Sequence, residues 1–218
     1  MKIQWLGHSS FRILGSKTIV TDPYGEIGLR FPDVRADIVT VSHGHHDHNA
    51  VEAVKGEPAI VDDAGMHKIA DLSIMGYNTA HDDEQGAKRG HNIVFVIQMD
   101  GTRVAHLGDI GCIPDHNVLG ALQKVDVLLL PVGGNYTIDG EQAAELVKLI
   151  QPRTTIPMHY NTFPPIAQDP AAFAAACEAA GFQAKVLQPG ETLTVMGAYK
   201  YLYVGEPVTF RTWAHITE

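Results

Sequence analysis

Short apolar runs broken by turn residues fill the first half of the chain. Lys2–Leu6, Ser10–Leu14 and Lys17–Thr21 read as strands, with Gly15-Ser16 as the tight turn between the last two. Asp37–Val41 and Ala59–Val61 extend that pattern, with a short helix over Ala50–Lys55 between them. Asp63–Leu72, which carries His67, predicts a helix, and Ser73–Asn78 an extended segment. His81–Gly90 is polar and loop-like. Asn92–Gln98 and Arg103–Leu107 predict a hairpin around Asp100-Gly101.

The second half alternates between two periods. Helices over Asp115–Leu122, Asp139–Ile150 and Pro170–Ala180 each precede a short apolar strand: Asp126–Leu130, Arg153–Pro157 and Gln183–Leu187. Gly181 is a natural stop for the third helix. Leu193–Met196 and Tyr199–Val204 read as closing strands. Strands early and strand–helix units late predict sheets with helices on their outer faces, an α/β (α+β) architecture.

Composition narrows the class. The 218 residues carry no linker-like division, so residues 1–218 read as a single domain. A net charge of −9 argues against a nucleic-acid or anionic-membrane partner and leaves a small molecule as the expected one. Two cysteines, Cys112 and Cys177, are too few for a disulfide scaffold. The first residues lack a signal-peptide core, and no run reaches membrane-spanning length, so a cytoplasmic location is expected. Oligomeric state is left open.

The chemistry concentrates in one stretch. His43-Gly44-His45-His46-Asp47-His48 follows the apolar run Ile38–Val41. Imidazole and carboxylate side chains crowded at a strand end have no ordinary packing rationale, whereas a divalent metal partners all of them. His43 and His45 fall on one face of an extended chain, and Asp47 and His48 follow where it curls back. One loop cannot complete two metal shells. His81, Asp109 and His159 each lie just past a short apolar strand and are candidates for the remaining ligands, with Asp109 able to give one oxygen to each of two cations. His91 competes with His81 on spacing alone.

The string His43-x-His45-x-Asp47-His48, with His81, Asp109 and His159 downstream in that order, resembles the metallo-β-lactamase superfamily. Leu6-Gly7-His8-Ser9-Ser10-Phe11, Thr21-Asp22-Pro23, Leu107-Gly108-Asp109 and Pro157–Phe163 are similar to one branch, the metal-dependent hydrolases related to L-ascorbate-6-phosphate lactonase. The resemblance implies an αββα four-layer sandwich. It implies one metal on His43, His45 and His81, a second on Asp47, His48 and His159, and Asp109 between them. Asp22 would support the histidine loop from behind. The implied reaction is hydrolysis by a hydroxide shared between two cations, with Asp47 and Asp109 in the catalytic set. The substrate would be a small polar or phosphorylated molecule, a lactone or a phosphodiester. The donor set favours zinc, and the lactonase resemblance keeps manganese.

Several residues admit two readings. His8 is either a proton donor or substrate contact near the metals, or a satisfied structural histidine. Gly133-Gly134-Asn135-Tyr136-Thr137 is either a substrate loop, with Asn135 and Tyr136 as contacts, or a tight turn before a helix. Tyr160 has the same standing beside His159. Arg30 and Arg89 either steer an anion or are surface residues. Cys112 lies near the site or is a small buried residue. His46, His67, His91, His106, His116 and His215 read as structural. The tail 205–218, with Phe210 and Trp213, departs from the shared pattern. The alternatives to a dinuclear hydrolase are an iron-dependent redox enzyme on the same fold, a metal-dependent nuclease and a non-catalytic metal-binding protein.

Overall fold

The computed structural model describes residues Met1–Met196; the expected strand Tyr199–Val204, His215 and the tail 205–218 lie outside them. Two six-stranded mixed sheets face each other. The first takes β1 (Lys2–Gly7), β2 (Ser10–Leu14), β3 (Thr18–Thr21), β4 (Ile38–Thr40), β5 (Ala59–Val61) and β12 (Thr192–Thr194), in the order β12-β1-β2-β3-β4-β5. The second takes β6 (Gly65–Ile69), β7 (Leu72–Ala80), β8 (His91–Met99), β9 (Thr102–His106), β10 (Val127–Pro131) and β11 (Thr154–Met158), in the order β11-β10-β9-β8-β7-β6.

Alternation along each strand builds the layers. Ile19 and Ile38 point into the core between the sheets, beside Ile3, Phe11 and Ile13. Their neighbours Val20 and Val39 point the other way and form a second cluster with Leu6, Val34, Val41 and Val54. That outer cluster lies under the stretch between β3 and β4 and a single 3-10 turn, Val51–Ala53, all that forms of the helix expected over Ala50–Lys55. β10 is buried at every position, as a strand covered on both faces must be. Its outer cover is α2 (Gly140–Ile150), against which α1 (His116–Leu122) and α3 (Pro170–Ala179) pack. Asp139 caps α2 through a capping box with Gln142, and Asp115 and Asp169 cap the other two helices.

Two further sequence expectations fail. Asp63–Leu72 is not a helix: Gly65–Ile69 forms the edge strand β6, paired with β7 across a turn at Ala70, and His67 sits on that strand. The segment has no strong local preference, and the free edge of β7 decides it. Gln183–Leu187 is not a strand either. Its backbone pairs with β11 only at Thr155, through one bridge, before the chain leaves toward Trp5.

The parallel strands β3, β4, β9, β10 and β11, together with β7, end toward one rim. The loops that follow them carry almost every residue singled out by the motif. Gly108, left-handed at φ 53°, follows β9; a side chain there would run into Asn92 and Ser42, so only glycine lets Asp109 approach this closely.

Candidate metal centre

β4 delivers the histidine loop, and Asp22, at the end of β3, holds it. Ser42 donates its backbone N–H to Asp22 Oδ1 (2.7 Å) and its hydroxyl to Asp22 Oδ2 (2.5 Å). Nδ1 of His48 donates to the same Oδ2 at 2.8 Å. Since the Ser42 hydroxyl donates to Asp22, it accepts from His43 Nδ1 at 2.9 Å. Both rings are thereby fixed with Nδ1 protonated and Nε2 turned to the cluster. This is the outer support that metal-ligating histidines need.

Four other strand ends close the cluster. His81 follows β7, Asp109 follows β9, His159 follows β11 and His8 follows β1. The Nε2 atoms of His159, His48, His81 and His43 lie 3.0, 3.2, 3.4 and 3.9 Å from Asp109 Oδ2. Among the described residues three groups have their ligand atoms within 4.8 Å of one another: His43, His45 and His81; His8, Asp47, His48 and His159; and Asp22 with His43 and His48. In the third, Asp22 is the carboxylate already engaged by His48 and Ser42, which leaves the first two as the donor sets. Spacing alone could not choose between His81 and His91, and the family resemblance favoured His81; His81 is buried in the cluster, and His91 is exposed at the start of β8. His46 points to solvent, with its side chain 79% exposed. His106 is buried and hydrogen-bonds the Ser9 carbonyl at 2.8 Å, a packing role.

Left-handed backbone gathers here. His8 (φ 52°), Asp22 (φ 39°), His159 (φ 56°) and Asn161 (φ 53°) all adopt a conformation unusual for residues with a side chain. His8 and His159 are also tied together, because the His8 carbonyl accepts from the His159 N–H (3.1 Å) and from Trp5 Nε1 (3.0 Å). This tie spans the two sheets and sets the His8 and His159 rings 4.2 Å apart.

The electrostatics favour positive charge at the centre. Burial opposes ionisation of Asp109, but His159 and His48 outweigh it and hold its pKa well below the usual range. Burial opposes the Asp22 charge too, and His106 and His48 overcome it. His48 is penalised by burial but raised well above its ordinary value by Asp109 and Asp22. Burial and the neighbouring His48 push His43 down to about 3. Burial, then His159, push His8 down to about 4, so its ring is neutral at pH 7.

The donors fit a divalent metal. Nε2 of His43, Nε2 of His48 and Oδ1 of Asp109 are buried with no hydrogen-bond partner. Buried polar atoms left this way are costly, and a cation among them removes the cost. Neutral imidazoles and carboxylates are the ligands such ions take.

The family model of the beta-lactamase superfamily domain matches residues 2–159. A UPF0173 metal-dependent hydrolase from Pelotomaculum thermopropionicum is 37% identical over 228 residues, covering 88% of this chain and 99% of that one. Another, from Archaeoglobus fulgidus, is 36% identical and covers 88% and 98%. The chain belongs to the UPF0173 metal-dependent hydrolase family. Among solved structures it is similar to Igni18, a metallo hydrolase from Ignicoccus hospitalis, with a TM-score of 0.70 and 31% identity over 89% of this chain and 98% of that one. The architecture is the metallo-β-lactamase fold, as the motif led us to expect.

Beside the cluster this hydrolase has a cavity of about 500 Å³, lined by His45, Asp47, His81, Asp109 and His159 of the cluster, by His46 at the solvent edge, and by Ile27, Arg89, Tyr136 and Phe163. Tyr136 reaches the wall as the sequence suggests, and packs edge-on against Phe163 with ring centroids 6.2 Å apart. Asn135 does not offer its side chain to the cavity wall; its contribution is a backbone carbonyl. Tyr160 turns into the core. It stacks on Trp5 at 5.3 Å and donates to the Leu187 carbonyl, which is the packing reading of the two the sequence left open and not the substrate contact. Sequence reasoning missed Ser42. It also missed Asn92, whose Oδ1 accepts the Asp109 N–H at 2.8 Å while its amide donates to the Leu107 carbonyl.

No described helix is long and apolar enough to cross a membrane.

Proposed function

We propose that the cluster holds two divalent cations, zinc or manganese, and that the protein hydrolyses a small polar or phosphorylated substrate, a lactone or a phosphodiester. The carrying observation is the pair of donor sets with one carboxylate between them. His43, His45 and His81 would hold the first ion, Asp47, His48 and His159 the second, and Asp109 both. Such a pair, when bound, supplies Lewis acidity toward a carbonyl or phosphoryl oxygen and lowers the pKa of water into the neutral range.

The chain's own residues do the rest. Asp22 and Ser42 fix His48 and His43 in the tautomer that leaves Nε2 free. Nε2 of His8 lies 3.3 Å from Asp47 Oδ2, and its Nδ1 lies 3.0 Å from Thr162 Oγ1. The neutral His8 ring is thereby fixed beside Asp47 of the cavity wall, where its N–H is placed to donate a hydrogen bond to a leaving oxygen. Tyr136 and Phe163, packed edge-on, add aromatic surface to the cavity wall against which an apolar part of a substrate can rest. The motif likeness to the lactonase-related branch supports a cyclic ester as substrate, and the net charge of −9 supports a small molecule over nucleic acid. A cytoplasmic location accords with this reading.

The test is elemental analysis of untagged protein purified without chelator, followed by a panel of lactones and phosphodiesters. About two zinc or manganese ions per chain with turnover on either class supports the reading. Two iron ions and no hydrolysis, or one ion that admits no second, overturns it.

A further inference from the structure

Among the described residues Arg89 is the one lysine or arginine on the cavity wall, and the fold holds it there from three directions. The first is its own loop. Asp82, buried next to His81, accepts four backbone N–H groups: Glu84 and Gly86 on Oδ1, both at 2.8 Å, and Lys88 and Arg89 on Oδ2 at 2.9 and 2.7 Å. A single carboxylate thus winds residues 82–89 into a fixed coil ending at the Arg89 backbone. The coil packs against Gly111, where a side chain would collide with the backbone of His81 and Asp82.

The second and third holds are on the side chain. Nη2 of Arg89 donates to the Asn135 carbonyl at 3.0 Å. Its Cζ lies 5.5 Å from the centroid of the Tyr136 ring. Gly134 (φ 64°) and Asn135 (φ 57°) are both left-handed, and Tyr136 then turns its ring to Arg89. Neither a carbonyl nor a ring face neutralises a guanidinium. Most of its five N–H donors stay available, and its planar fork suits an oxyanion.

We infer that Arg89, fixed by Asp82, Asn135 and Tyr136, binds an oxyanion group of the substrate distant from the bond that is cut. The hydrolase then acts on anionic small molecules that carry a carboxylate or a phosphate monoester. This rests on the hydrolase reading for the placement of the scissile bond at the cluster. A purely structural role, in which Arg89 only ties two loops together, predicts no preference between charged and neutral substrates.

The experiment has two readouts. The first is equilibrium binding of inorganic phosphate and of acetate to the metal-containing protein and to Arg89→Gln and Arg89→Lys, by titration calorimetry at constant salt. Arg89→Gln should weaken at least one anion by about tenfold to a hundredfold, with metal content retained, and Arg89→Lys should recover part of it. Which anion responds separates a carboxylate-bearing from a phosphate-bearing substrate. The second readout is the ratio of kcat/KM for an anionic lactone over its neutral analogue. That ratio should fall by a similar factor in Arg89→Gln. Unchanged anion affinity in Arg89→Gln, or an equal loss on both substrates, overturns the inference. Arg89-dependent anion binding with no hydrolysis of any substrate upholds the subsite and overturns the hydrolytic reading instead.

Discussion

Asp22 Oδ2 and His48 Nδ1 are joined by a 2.8 Å hydrogen bond in which neither residue has any solvent exposure. The same oxygen takes the Ser42 hydroxyl, through which His43 is also oriented. One carboxylate therefore sets a ring in each donor set. Asp22→Asn keeps the shape but replaces an acceptor with a donor. Metal affinity should drop by about 10- to 100-fold, read by competition with a chromogenic chelator. Unchanged affinity would mean that the rings are held by packing alone.

His8 has the reverse signature. Its φ of 52° suits asparagine better than alanine, so His8→Asn keeps the backbone and removes the imidazole. Metal content should remain, and kcat should fall by about a hundredfold or more if the ring moves a proton. Loss of one metal would make His8 a ligand. A normal rate across the substrate panel would make it structural.

Gly108 is a stability test of the Asp109 approach. Gly108→Ala forces a side chain into a left-handed position against Asn92 and Ser42. The cost should exceed about 1 kcal/mol in chemical denaturation, and the bound metal should loosen as Asp109 is displaced. A variant as stable as the parent, with its metals intact, would show that the loop shifts without penalty.

The sequence carried the site better than the frame around it. Each proposed ligand follows a short apolar strand, so its position could be read from one-dimensional pattern, and His43 through His48 needed only β4 before them. What could not be read depends on partners distant in the chain. Ser42 matters because Asp22, twenty residues earlier, lies against it. Asp82 reads as one of several acidic residues in a polar loop until four N–H groups turn toward it. Tyr160 stands beside His159 in sequence, but strand-end geometry sends it to Trp5. β6 failed for a related reason: its fate was set by the open edge of β7, not by its own residues.

Cys177 gives a prediction independent of metal. It lies in α3 within the core, 1% exposed, and burial pushes its thiol up to about 11. An exposed thiol titrates near ~8.5. Below that pH both folded and unfolded chains keep the proton, and the group adds no pH dependence. Above it the unfolded chain ionises first, so stability is lost as pH rises from about 8.5 to about 11. Tyr24 and Tyr160, raised by burial as well, act in the same direction, so the comparison must be with Cys177→Ala. That variant starts less stable because it leaves a small cavity, but its alkaline decline should be shallower in thermal melts between pH 8 and 11. A thiol reagent at pH 8 should modify the half-buried Cys112 and reach Cys177 only on unfolding. Parallel alkaline losses in the two proteins, or rapid modification of both thiols in the folded state, would show that α3 does not seal Cys177 from water.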